Sequence, residues 1–289
     1  STGSGADNEY TIKSGTSMAC PSATGSAALL VQLYHRLFPG SSMRASMLKG
    51  LIIHTADDLG RPGPDYQFGW GLMNTRAAAE LIQRQYDSPL GACMLEGPLN
   101  AAGSPDSYYF HLEDSRPIRI TLCWTDAPGT VATKMDDRTP ILRRNLDLEL
   151  IGPHGLAVYY PFKPDPGDPC AVAATGPNRL DNVEQIYIAA PSLRGEYTVR
   201  VLHRGSAQPY SLVSSVPLLS EHSPFAENLA AFTSVDTPVT VTLNAVDEGR
   251  PEVPGVLTYT IVSLPKHGTL EVAGDAITSP GPLAQDSNE

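Results

Sequence analysis

SGTSMACPSATGSAALL, residues 14–30, places Ser17 at the start of a run of small and apolar residues that continues to Leu37. Met18, Ala19, Ala23, Ala27, Ala28, Leu29, Leu30, Val31 and Leu33 leave almost no polar face, so the run predicts a buried helix over 17–37. Pro21 lacks an N–H and is best tolerated in a first turn, which puts Ser17 at or just before the helix N-terminus. A serine there has two readings. It is an ordinary N-cap, or it is a nucleophile whose own N–H, with the positive end of the helix dipole, faces an oxyanion. Gly15 lets a substrate approach the backbone closely.

Working outward, helical patterns over 44–54 and 74–85 flank the glycine-rich QFGWG at 67–71, and together with 17–37 they read as α/β architecture. The pattern changes after Asp87. From about 90 to 218 come alternating runs: SYYFHL, PIRITLCWT, LDLELIGP, VEQIYIAAP, GEYTVRVLH and QPYSLVSS, separated by Gly, Pro, Asn and Asp. Strands of this length and spacing predict a β-sandwich or jelly roll. The polar SEHSPFAEN leads to TPVTVTLNAV and LTYTIVSLPKHGTLEV, period-two runs that begin a further all-β module of roughly 70 residues.

Composition narrows the function. With 25 Gly, 26 Pro and only 18% charged residues in 289, loops and short strands should outnumber long helices. A net charge of −11 with no basic cluster argues against nucleic acid and anionic membrane surfaces as partners. No apolar run is long enough to span a bilayer. The chain opens with STGSGADNEY, without an initiating Met, and reads as an internal piece of something longer. Cys20, Cys93, Cys123 and Cys170 have no zinc-ligand spacing; Cys20 reads as a free thiol, and two of the other three could pair in an oxidising compartment or equally stay unpaired.

The string SGTSMACPSATGSAALL resembles the serine motif of the subtilisin-like serine proteases, and FGWGLMNTRAAAELI resembles the closing segment and last helix of the same catalytic domain. The resemblance implies that Ser17 is the catalytic nucleophile. Ser22 and Ala23 depart from the family's usual pair after the proline. The family's acid, base histidine and oxyanion asparagine all precede the serine, and they are absent from the sixteen residues before Ser17. No other histidine is expected to serve. His35 lies about 27 Å along the helix from Ser17 at ~1.5 Å per residue. His54, His111, His154, His203, His222 and His267 read as structural or surface groups.

CWTDAPG, NLDLELIGPHG, DNVEQIYIAAP, GEYTVRV and QPYSLV, in this order, resemble the C-terminal jelly-roll domain of the oxidatively stable alkaline subgroup of those proteases. Domains of that subgroup bind calcium. Asp126, Asn145, Asp147, Asn182 and Glu184 recur at strand ends, and hard oxygen ligands suit calcium, so Asp126, Asp147 and Glu184 are the candidate metal ligands; Asx turns at strand ends are the alternative. Arg144 and Asn145 stand where that subgroup often has an amide and a carboxylate, which weakens such a site. VDTPVTVTLNAVDEG and LTYTIVSLPKHGTLEV resemble the start of a cadherin-like repeat of secreted or surface bacterial proteins.

The fold class expected is therefore an α/β fragment, the C-terminal part of a subtilisin-like parallel-sheet domain (1–87), then an all-β jelly roll or sandwich (88–219), then a partial cadherin-like β-sandwich module (220–289). The function implied by the resemblance is a secreted or cell-surface serine endopeptidase acting on protein or peptide substrates, of which these residues alone are inactive. The alternative is a non-catalytic surface or adhesion protein carrying a degenerate protease remnant.

Overall fold

The computed structural model describes residues 8, 10–88, 91–98, 105–131, 133–135, 137–203, 208–220, 225–226, 231–234, 236–243, 245–246, 259–272 and 274–283. They fall into two compact units, 1–220 and 221–289.

The first unit begins with three helices: α1 (Thr16–Leu37), α2 (Ala45–Thr55) and α3 (Thr75–Asp87). Asn74 caps α3, its side-chain oxygen accepting from Ala77 N at 2.9 Å. Ten strands follow: β1 (Ala92–Pro98), β2 (Asp106–Leu112), β3 (Ile118–Trp124), β4 (Leu146–Ile151), β5 (Val158–Tyr159), β6 (Phe162–Lys163), β7 (Ala174–Thr175), β8 (Val183–Ile188), β9 (Gly195–His203) and β10 (Pro209–Leu218). They form two four-stranded sheets, β1-β10-β3-β8 and β2-β9-β4-β5, and a β6-β7 ribbon, with every pair antiparallel. The alternating runs thus become a two-sheet sandwich. Its core joins Ile120, Leu122 and Leu212 of one sheet to Leu148, Val199 and Val201 of the other.

The outer face of the first sheet is also covered. Leu30, Met47, Leu51, Leu81 and Ile82 of the helices pack with Cys93, Met94 and Val213 of β1 and β10 in a second core. This explains why β3 reads PIRITLCWT rather than strictly alternating: nearly all its side chains are buried, on both faces. Gly50 lets α2 lie close to the sheet, since a Cβ there would sit 3.3 Å from the Cys123 Cβ.

A polar seam sits within this packing. Ser46 and Ser211 share a buried hydrogen bond of 2.8 Å. Arg119 donates from Nη1 to the His54 carbonyl at 2.7 Å, closing the C-terminus of α2, and stacks over the Tyr187 ring at 4.9 Å. Gln85 Oε1 accepts from the Cys93 and Met94 amides at 2.7 and 2.9 Å. All four cysteines are unpaired, with Cys93 and Cys123 buried.

Two expectations need correction. Within residues 1–289 the helix α1 is mostly uncovered: Leu30 is its one buried residue, and Leu29 is 61% exposed. Its C-terminal half packs with α3, while the side chains from Thr16 to Gly25 other than Met18 are exposed. Apolar composition all round marks a helix able to be covered, but covering needs a partner surface. Pro21 is the sixth helical residue, past the first turn. The carbonyl its missing N–H leaves without an α-helical donor is that of Ser17, in an exposed turn that water reaches, which limits the cost.

The second unit contains short ladders among its described residues: β11 (Phe225–Ala226) with β12 (Ala245–Val246), β13 (Thr260–Ile261) with β16 (Gly281–Pro282), and β14 (Glu271–Val272) with β15 (Asp275–Ala276). The long period-two strands predicted over 237–246 and 257–272 are thus realised only in two-residue pieces among those residues. Alternation makes a strand stable when one face is buried, and here Val239 and Val262 are 48% and 85% exposed. Residues 247–258 of the cadherin-like stretches lie outside the described residues.

Candidate active site

Ser17 is the second residue of α1 and is exposed. The N-cap is Gly15, at φ 139°, a conformation that glycine adopts and L-residues rarely do. Because Gly15 holds that position and no side chain caps the helix, the ordinary N-cap reading of Ser17 does not apply. Met18 N and Ala19 N both bond the Gly15 carbonyl, at 3.0 and 3.1 Å. The Thr16 and Ser17 amides have no partner among the described residues, so two donors stay aimed out of the helix end beside the Ser17 hydroxyl. Donors of this kind are what an oxyanion needs, and helix N-termini in general provide them.

No histidine described in the structure is placed to activate this hydroxyl. His35 lies in the last turn of the same helix. His54 is 4% exposed, in α2, where Nδ1 pairs with Thr121 Oγ1 at 2.9 Å; Gln185 Nε2 donates to the same hydroxyl at 2.9 Å. Burial first, then the charges of Arg119 and Arg84, push the His54 imidazole down to about 3, so it is neutral throughout the working range. His111 and His154 are exposed and His203 is half-buried in or beside the sandwich strands; His267, in the second unit, is exposed, and His222 lies outside the described residues.

The glycine-rich loop after α2 is tightly built. Asp57 and Leu72 exchange backbone bonds of 2.9 Å, and Asp65 and Gly69 exchange bonds of 3.0 and 2.8 Å. The Asp65 carboxylate accepts from the Phe68, Arg61 and Gln67 amides, which hold it below the usual carboxylate range. Gly69 and Gly71 both have positive φ, 61° and 101°, but for different reasons: space around Gly69 is open, whereas a Cβ on Gly71 would lie 2.1 Å from the Asp57 carbonyl oxygen.

The candidate metal ligands separate. Asp126 is taken up by backbone: Oδ1 accepts from Ala127 and Arg144, and Oδ2 from Arg143, at 2.7–3.1 Å. Asp147 and Glu184 come together from facing sheets. Glu184 is fully buried, and Oε2 accepts from Leu148 N at 2.6 Å. Burial pushes its carboxyl up to about 9, the Leu148 N–H opposing and the nearby Asp147 and Asp181 charges adding to it. Asn145 Nδ2 donates to Asp147 Oδ1 at 2.7 Å. Glu184 Oε1 and Asn145 Oδ1 are buried oxygens with no hydrogen-bond partner among the described residues. Their chemistry fits a hard cation in part, but no group of three or more His, Cys, Asp or Glu among the described residues is placed to hold a metal. Asn182 belongs elsewhere, bonding Lys49 Nζ and the Trp124 carbonyl, each at 2.9 Å. The sequence did not point to Arg119, Tyr66 or Trp70; the aromatics within and just before QFGWG were the available signal.

Residues 2–71 match the Subtilase family. An extracellular serine protease of Serratia marcescens is 49% identical over 69 residues, 24% of this chain and 6% of that protein. The autotransporter lipoprotein NalP of Neisseria meningitidis is 41% identical over 64 residues, 22% of this chain and 5% of its own length. Subtilisin DY of Bacillus licheniformis is 37% identical over 73 residues, a quarter of this chain and 23% of the relative. The chain therefore spans about 6% of the length of the extracellular proteases it matches. No helix among the described residues is long and apolar enough to cross a membrane. The segment carrying Ser17 and the glycine-rich loop is similar to the subtilases, a family of serine proteases, and the family match ends at residue 71, before α3.

Proposed function

We propose that this chain is part of a subtilisin-type serine endopeptidase in which Ser17 Oγ attacks the scissile carbonyl and the Ser17 N–H supplies part of the oxyanion hole. The observation that carries this reading is the unpartnered pair of amides at Thr16 and Ser17, set by the positive-φ Gly15 in a segment similar to extracellular serine proteases. A histidine and an aspartate outside residues 1–289 would take the serine proton and orient the base. Residues 1–289 alone would not hydrolyse peptides, because His54 is sequestered and His35 is a helix length away. The sandwich, proposed as a jelly roll, holds α2 and α3 and through them the serine helix. The second unit is proposed as a cadherin-like spacer, and the whole as secreted or surface-exposed.

The test is a fluorophosphonate probe applied to the full-length natural protein, with mass spectrometry of the adduct. Label on Ser17, lost in Ser17→Ala, is the expected outcome. An unlabelled Ser17 in a folded protein would leave the non-catalytic surface protein as the better reading.

Calcium is proposed with less of the donor set first expected for it: Asp147, Glu184 and the Asn145 amide support it, and Asp126 is committed to backbone. Calorimetric titration of calcium chloride should show binding tighter than about 1 mM that Glu184→Gln abolishes. No heat in the unsubstituted protein would remove calcium from the account.

A further inference from the structure

A cleft of about 540 Å³ opens in the first unit between the glycine-rich loop and the connections of the sandwich. This volume is in the range of binding pockets, which run to roughly 300–1,000 Å³. One wall is the Asp65–Gly69 hairpin with Trp70. The hairpin is held by two backbone bonds and three amide bonds to the Asp65 carboxylate, and it carries Tyr66 outward, 55% exposed. The other wall is formed by Pro140, Ile141, Pro164 and Pro166, with Ile141 53% exposed. Nothing in the hydrophobic cores uses Tyr66 or Ile141.

Two features limit what can occupy it. Prolines have fixed φ and no N–H, so three of these four residues are preformed and offer no donor to an added β-strand. A ligand must bind through its side-chain surface while its backbone stays hydrated, which is the property of a polyproline II segment against an aromatic groove. The charges add direction. Asp65 spends its carboxylate on local amides, Asp137 Oδ1 accepts from Thr139, Asp181 Oδ2 accepts from Asn178 Nδ2 at 2.8 Å, and Lys49 donates to Asn182. At the Tyr66 hydroxyl, Asp181 and Asp165 each outweigh the opposing Arg138, behind burial, in raising the phenol above its ordinary range.

We propose that this cleft is a docking site for an extended, proline-containing peptide segment bearing a lysine or arginine, with Tyr66 and Trp70 as the stacking surfaces and Asp181 facing the cation. The site is separate from Ser17 and does not depend on that serine being a nucleophile. In a protease it would hold a substrate segment away from the scissile bond.

The probe is a capped Arg-Pro-Leu-Pro-Pro-Leu-Pro peptide titrated into the 289-residue chain, read by tryptophan fluorescence. Of the two tryptophans Trp124 is 1% exposed, so a ligand-dependent change reports Trp70. Expected is a saturable change with Kd below about 1 mM. It should weaken at least fivefold in Tyr66→Ala and about threefold in the isosteric Asp181→Asn. A peptide with Glu for Arg, or Gly for each Pro, should bind at least fivefold more weakly. The proposal is overturned by no saturation at 1 mM, by equal binding of the control peptides, by unchanged affinity in both variants when they melt as the parent does, or by chitotetraose competing for the same signal. A fluorophosphonate-negative protein that still binds the peptide would reject the nucleophile and keep the cleft; the converse would do the reverse.

Discussion

Lowering the pH from 7 to 4 is expected to cost the first unit roughly 3 kcal/mol through His54 alone. In the unfolded chain this imidazole titrates near 6.5, and in the folded unit near 3. Between those values the unfolded state binds the proton and the folded state excludes it. The stability is therefore complete above pH 6.5, falls as the pH drops through that value, and levels off below 3, for a full span of roughly 5 kcal/mol. The cause is geometric: α2 sets the ring against β3, where Thr121 and Gln185 supply polar atoms but no anion, and Arg119 and Arg84 oppose a positive charge. Urea unfolding at pH 7 and pH 4 measures the effect. His54→Asn should lose some stability at pH 7 from the cavity left behind, and about 3 kcal/mol less than the unsubstituted protein on going to pH 4. Equal acid losses in the two proteins would mean that His54 is protonated or solvated in the folded state.

The second large effect is expected at Gly71. Alanine there would meet the Asp57 carbonyl oxygen at 2.1 Å in a backbone conformation of φ 101°, so the backbone exchange between Asp57 and Leu72 must open. Gly71→Ala should cost about 3 kcal/mol or more, by strain and by lost backbone bonds. Gly69→Ala, two residues away with φ 61° and open space around it, should cost only about 1–2 kcal/mol. The pair separates steric exclusion from left-handed strain in one motif, and melting temperatures of both variants measure it. Equal costs would show that the Asp57–Leu72 bridge relaxes without penalty. Since Trp70 precedes Gly71, the larger loss should also weaken the cleft, whereas Gly69→Ala should leave it largely intact.

Much of the architecture was legible in local pattern. The run from Thr16 to Leu37 is helical because small and straight-chain residues dominate it, and the pattern over 74–85 marked α3. Strands from Ser107 to Ser215 were readable because burial on the sandwich core imposes a period of two. At 237–246 and 257–272 alternation is present, and the described residues there form two-residue strands.

At the candidate site the motif located Ser17, and the structure supplied the reason it is not a cap, namely that Gly15 already occupies that position. The metal reading shows the opposite limit. Asp126, Asp147 and Glu184 look alike in sequence, yet one ties a loop through backbone amides while another is sealed between sheets with an oxygen left unpaired.

The sequence by itself determined where the serine stands, which segments are helix and which are sandwich strand, and that the chain is acidic and poor in charge. These follow from local chemistry and from periodicity, both of which act over a few residues. Only the tertiary structure decided that α1 lies largely exposed, that His54 is held neutral against Thr121, and that Tyr66 and Trp70 face four sandwich-side residues across a cleft. The last two depend on groups some 67 to 100 positions apart being brought within contact. Burial, field and shape at such contacts are properties of the packed surfaces, and no single stretch of the chain carries them.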